Sequence, residues 1–177
     1  MIKAIETKFD GHFFRSRLEA RWAVFFKTLG VPYAYEMEGF DLGGGYRYLP
    51  DFWLPQQEAW IEIKGAPPNE REIEVARRLS EAGHPVFIFH GEIPRDDSFD
   101  PGAIILRWGN FDEGYLWCQC MRCGAFGITF NGRSHRLPCH QQGGACHLPD
   151  EGDKGYSYDA PKIIRAYDAA RQERFDE

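Results

Sequence analysis

One seven-residue segment, AWIEIKG at positions 59–65, constrains the fold of this chain more than any other. Its apolar residues are β-formers, so a strand is expected, yet two opposite charges stand inside it. Successive strand side chains point to opposite faces, so Glu62 and Lys64 emerge together while Ile61 and Ile63 face the other way. One face of the strand is therefore apolar and the other ionic. Just upstream, YRYLPDFWLP reads as a second strand carrying Asp51, and a hairpin between the two sets Asp51 beside Glu62. Pro50 has no amide to give to a ladder, which assigns it to a bulge, a strand end or an edge. Two carboxylates and an ammonium then converge. Clustered carboxylates repel unless a cation neutralises them, and hard oxygen donors of this kind suit Mg²⁺ or Mn²⁺.

The surrounding elements follow from periodicity and punctuation. Ser16 with Glu19 three residues later opens a helix whose apolar stripe is Leu18, Trp22, Phe25, Phe26 and Leu29, and Gly30 ends it. VPYAYEMEGF reads as a strand, joined to the strand of Asp51 through a turn at Gly43-Gly44-Gly45, where positive φ is tolerated. Beyond Gly65 and the breaker pair Pro67-Pro68, Asn69 and Glu72 open a second helix with Ile73, Ala76 and Leu79 inward and Gly83 past its end. PVFIFHG is a short continuous apolar run of the kind buried on both faces of a sheet. Residues 91–103 read as a loop and AIILRWG as a further strand. The resulting order is αβββαβ, an α/β core with a mixed sheet, the last strand added parallel through a helical crossover.

Pro50-Asp51 followed by Glu62-Ile63-Lys64, in this element order, resembles the PD-(D/E)XK nuclease superfamily, with no departure at any signature position. The likeness spans roughly the first half of the chain. It implies a restriction-endonuclease-like fold and a metal-dependent hydrolase of phosphodiester bonds, with DNA as substrate. Carried onto these residues, it implies that Asp51, Glu62 and the backbone carbonyl of Ile63 bind Mg²⁺ or Mn²⁺. Lys64 then serves the nucleophilic water, and Glu19 completes or extends the metal site. Glu19 also fits a simple capping role, reaching back to the Ser16 amide. The helix and motif strands look most like small nucleases of phages and mobile elements.

From Tyr115 onward the character changes, because all five cysteines of the chain lie between 118 and 146. Cys120-x2-Cys123, an intervening GITFNGR and then Cys139 and Cys146 read as a zinc ribbon with an irregular second knuckle. Cys118 competes with Cys120 in the overlapping CxCxxC, and His135, His140 and His147 are substitutes at the second knuckle. Closed coordination by Cys120, Cys123, Cys139 and Cys146 would make this Zn²⁺ site structural, since no position is left for water. The expected organisation is a core over 1–110, a zinc-ribbon module over 115–150 and a C-terminal helix over 155–177. Ile163, Ile164, Tyr167, Ala170 and Phe175 would dock that helix, and Pro161 suits its first turn.

A net charge of −6 argues against bare nucleic-acid binding, although much of the acidity lies away from the motif. Arg15, Arg17 and Arg21 on the first helix are candidate phosphate contacts or solvated helix-face charges. Tyr46, Tyr48 and Trp53 stand at strand spacing, which suits core or cross-strand pairs better than base stacking. With 43% hydrophobic and 15% aromatic residues the chain is of globular composition. It has no apolar run of membrane-spanning length and no signal-peptide pattern, which predicts a soluble cytoplasmic protein. Two rival functions fit the same residues: a non-catalytic zinc module binding nucleic acid or protein, and an RNA nuclease using the same metal chemistry.

Overall fold

The computed structural model describes residues 5–94, 100–107, 110–130, 134–141 and 155–175. The chain begins with a hairpin, β1 (Thr7–Phe9) and β2 (His12–Phe14), closed by Asp10-Gly11 at φ of 50° and 82°. Positive φ at both central residues matches the turn to the strand twist, and Asp-Gly is the pair that tolerates it. The hairpin buries Phe14 against Tyr35, ring centroids 4.5 Å apart. Next comes α1 (Arg17–Leu29), where the Ser16 hydroxyl accepts from the Glu19 amide at 3.2 Å and Gly30, at φ 80°, closes the last turn.

The strand expected over residues 31–40 is broken. Only β3 (Ala34–Tyr35) joins the main sheet, and β4 (Phe40–Asp41) forms a separate small hairpin with β5 (Arg47–Tyr48) around the three glycines. The break is at Glu36, held at φ 46° where its amide donates a hydrogen bond to the Asp51 carbonyl (2.8 Å) and its carboxylate pairs with Arg15 (2.6 Å). An L-residue rarely adopts that backbone, so the strand cannot continue through it.

The motif strands then form as expected. β6 (Phe52–Leu54) pairs antiparallel with both β3 and β7 (Ala59–Lys64). Helix α2 (Glu70–Glu81), opened by a reciprocal Asn69/Glu72 capping box, crosses to β8 (Val86–His90), which lies parallel to β7. The sheet continues antiparallel through β9 (Asp100–Arg107), β10 (Asn110–Cys120), β11 (Phe126–Phe130) and β12 (Ser134–Arg136). A short helix, α3 (Pro138–Gln141), precedes β13 (Tyr156–Ser157), which pairs with the end of β10, and α4 (Pro161–Gln172). The product is a mixed α/β architecture around a nine-stranded mixed sheet ordered β12-β11-β10-β9-β8-β7-β6-β3, with β13 alongside β10. β10, which carries Cys118 and Cys120, and the strands beyond it are extensions of this same sheet, and residue 115 lies within β10.

Helices α1 and α4 cover one face. Trp22, Phe25 and Phe26 pack on Phe52, Ile61, Ile63 and Phe89, and Phe25 meets Tyr167 of α4 at 4.6 Å. Each such fully buried side chain contributes about 1.5–3 kcal/mol of transfer free energy. Ile163, Tyr167 and Ala170 dock α4 as expected and Phe175 packs edge-on to Phe9, but Ile164 is 38% exposed. It lies one position off the 3.6-residue stripe that its neighbours define. The opposite face is covered by α2 over Trp60, Val86 and Ile88. The Glu62 face is therefore ionic only near the end of β7, with Trp60 in an apolar layer. Among the described residues no helix is long and apolar enough to cross a membrane.

Candidate functional site

The β6–β7 register brings the two carboxylates together. Phe52 faces Ile61, so the preceding residue, Asp51, comes level with Glu62 just where Pro50 ends the pairing on its side. Asp51 is 2% exposed and Glu62 7% exposed. Asp51 extends the ladder with its side chain, Oδ2 accepting from the Ile63 amide at 2.7 Å, while Oδ1 accepts from the Arg15 guanidinium at 2.9 Å. On β7, Lys64 Nζ stands 2.7 Å from Glu62 Oε1 and 3.2 Å from Glu72 Oε1. The second Glu62 oxygen is shielded and has no hydrogen-bond donor. Tyr48 lies within electrostatic reach of Glu62, yet its shielded hydroxyl makes no hydrogen bond of ordinary geometry.

Burial and mutual repulsion set the protonation of these groups. Burial first, then the charges of Glu62 and Glu19, push the Asp51 carboxyl well above the usual range, against the Ile63 amide and Arg15. Glu62 is raised by burial, with Lys64 opposing. Burial disfavours the Lys64 charge, but Glu62 and then Glu72 more than compensate, so its ammonium is held more tightly than usual. Burial, then the charges of Glu62 and Asp51, raise the Tyr48 hydroxyl well above its ordinary value. The site thus holds excess negative charge in a poorly solvated place, which a divalent cation would relieve.

Glu19 approaches from α1, 7% exposed, and its charge is felt at Asp51. Its oxygens already have partners. Oε1 accepts from the Ser16 hydroxyl at 2.7 Å, and Oε2 accepts from the Arg15 amide at 3.1 Å and the Tyr35 hydroxyl at 2.6 Å. The reach-back of the expected capping box therefore goes to the Arg15 amide rather than that of Ser16. Arg15, a candidate phosphate contact, is instead paired with Asp51 and Glu36. Arg17 and Arg21 are half-buried on α1, and the Arg21 Nε is shielded without a hydrogen-bond partner.

Sequence reasoning missed the part that three residues play at the carboxylates. Glu72 was legible only as a cap, yet Oε2 binds the Asn69 amide at 2.8 Å while Oε1 faces Lys64. Arg15 and Tyr48 reach the carboxylates from elements whose packing no local pattern reports. A cleft of about 200 Å³ opens beside Glu62, its walls including Arg47, Tyr48, Lys64, Arg71 and Glu72. Trp53 pairs across strands with Trp60 at 4.9 Å, as strand spacing suggests.

A second candidate site lies at the far end of β10. Cys120, Cys123 and Cys139 bring their sulfurs within 4.8 Å of one another. The knuckle is built by the Gly124 amide on the Cys120 carbonyl (2.8 Å) and the Cys120 amide on the Ala125 carbonyl (2.8 Å), with Gly124 at φ 74°. This cluster can bind a metal ion such as Zn²⁺. Cys118 is buried beside it, and burial with the nearby Cys120 pushes its thiol up to about 12, which disfavours the thiolate a metal needs. The expected fourth ligand, Cys146, and the substitute His147 lie outside the described residues.

Comparison of this chain with protein-family models, with curated proteins and with solved structures finds no match in any of the three.

Proposed function

We propose that this chain is a metal-dependent nuclease of the PD-(D/E)XK type, cleaving phosphodiester bonds of DNA in the cytoplasm. One observation carries the reading: two buried carboxylates, Asp51 and Glu62, stand level on β6 and β7, with Lys64 on one Glu62 oxygen and no donor on the other. This donor set fits Mg²⁺ or Mn²⁺, being hard, anionic and short of positive charge. Asp51, Glu62 and the Ile63 carbonyl would hold the ion, with Glu19 extending the set. When bound, the ion supplies Lewis acidity toward the scissile phosphate and acidifies a water.

The chain's own groups do the remaining work. The Ile63 amide fixes Asp51, so the carboxylate needs little reorganisation. Lys64 keeps its proton between Glu62 and Glu72, so it orients the attacking water and offsets charge growing on the phosphate rather than acting as a base. Zn²⁺ on Cys120, Cys123 and Cys139, with Cys146 as fourth ligand, would brace the end of β10 away from the chemistry.

The test is Mg²⁺- and Mn²⁺-dependent cleavage of linear, circular, single-stranded and branched DNA beside an RNA control. Asp51→Ala, Glu62→Ala and Lys64→Ala should each lose at least about a hundredfold in rate with the fold intact. Full activity in any two of them refutes the assignment, and a preference for the RNA control would change the substrate. A non-catalytic binding module has one observation in its favour, since Arg15 and Lys64 already give each carboxylate a cationic partner. In that reading Mg²⁺ leaves thermal stability unchanged and no substrate is cut.

A further inference from the structure

The cleft beside Glu62 lies between β5 and the first turn of α2, and two of its three cationic groups are not spent. Arg47 and Arg71 are exposed on its walls, and neither forms an ion pair among the described residues. Farther along α2, by contrast, Arg77 and Arg78 are both paired with Glu74. Arg47, Arg71 and Lys64 outnumber the carboxylates Glu62 and Glu72 in the cleft, a local positive excess in a chain of net charge −6. Two further observations point to a ligand here. The N-terminus of a twelve-residue helix opens onto the cleft at Asn69. A shielded donor in its lining, the Tyr48 hydroxyl, makes no hydrogen bond of ordinary geometry. The capping box occupies the Asn69 and Glu72 amides, so it is the dipole of α2 that favours an anion at that mouth. The hairpin wall is anchored, because the Tyr46 ring lies 4.1 Å from the Arg78 guanidinium and 5.8 Å from that of Arg71.

We propose that Arg47 and Arg71 grip a backbone phosphate next to the scissile one, so that the nucleic-acid strand passes between the β4–β5 hairpin and the start of α2. The proposal rests on the nuclease reading for its substrate. It moves the phosphate track from the α1 arginines to the opposite helix. Arg15 cannot serve both Asp51 and a phosphate without giving up one of them.

Binding of a fluorescein-labelled DNA duplex and single strand, followed by anisotropy against salt in EDTA, separates this inference from the catalytic one. Each phosphate contact contributes about −0.9 to the slope of log K against log salt on a duplex, so Arg47→Ala and Arg71→Ala should each flatten it by about that amount. The double variant should flatten it by about twice as much, and Arg77→Ala should leave it unchanged. Unchanged slopes in the Arg47 and Arg71 variants, no DNA binding by the wild type, or flattening confined to Arg17→Ala and Arg21→Ala would overturn the proposal. Flattened slopes in a protein that never cuts DNA with Mg²⁺ would keep the phosphate subsite and remove the nuclease assignment.

Discussion

A carboxylate withdrawn from water favours its protonated form, and Asp51 is both buried and level with a second buried acid. The folded-state pKa values of Asp51 and Glu62 lie above their unfolded ones. Their contribution to stability is therefore fully present below about pH 4 and is lost as pH rises through the folded values. Metal-free protein should therefore melt at a lower temperature at pH 7 than at pH 5, and Asp51→Asn should flatten the dependence while keeping an oxygen for the Ile63 amide. Melting curves in EDTA against pH check this, and an unaltered profile in the variant would refute it. Mg²⁺ should raise the melting temperature of the wild type and leave that of Asp51→Asn and Glu62→Gln nearly unmoved. Asp51, Glu62 and Lys64 were legible because strand alternation and one hairpin dictate their meeting. Arg15, Tyr48 and Glu72 were not, since each arrives from a separate element through tertiary packing.

Caps and turns carry a different kind of information. Asn69→Ala removes the capping box of α2 and should cost about 1 kcal/mol in urea unfolding. Because the partner of that cap is Glu72, the same change should loosen the carboxylate that faces Lys64. Gly127 on β11 leaves no room for a side chain, since an added Cβ would lie 2.1 Å from the Arg136 carbonyl oxygen and 2.8 Å from Leu137 Cγ. Gly127→Ala should therefore cost about 1–3 kcal/mol through overpacking, read from the same unfolding curves. The limits of α1 and the starts of α2 and α4 were readable to within a residue, because Ser16, Gly30, Asn69 and Pro161 are physical stops, whereas α4 ends at Gln172, short of the expected 177. The strand over 31–40 was misread, because its interruption depends on Glu36 being held by Arg15 and Asp51, residues distant in sequence from one another. The β1–β2 hairpin had a local signal in Asp10-Gly11 that apolar periodicity does not weigh.

At the scale of the whole molecule, one sheet joins the two candidate metal sites. Chelation of Zn²⁺, or Cys123→Ser, should therefore lower the melting temperature of the whole protein rather than release an independent unit, and amide exchange should quicken along β10–β12 first. Metal analysis that finds no zinc in protein purified without chelators would sink the assignment. The run from β6 and β7 through α2 to β8 was readable because each strand and helix has its own period, whereas the extension of the sheet through β10 was not, since pairing between distant strands leaves no mark in either one alone. Along β10, Tyr115 and Trp117 point into the core beneath α1, and Tyr115 stacks on Phe89 at 4.1 Å, while Cys118 and Cys120 belong to the apolar cluster on the strand's other face. A slip of one residue would exchange those two sets of side chains. A metal held by the cysteine knuckle would thus act as a phase lock for the strand, keeping Tyr115 and Trp117 turned toward α1.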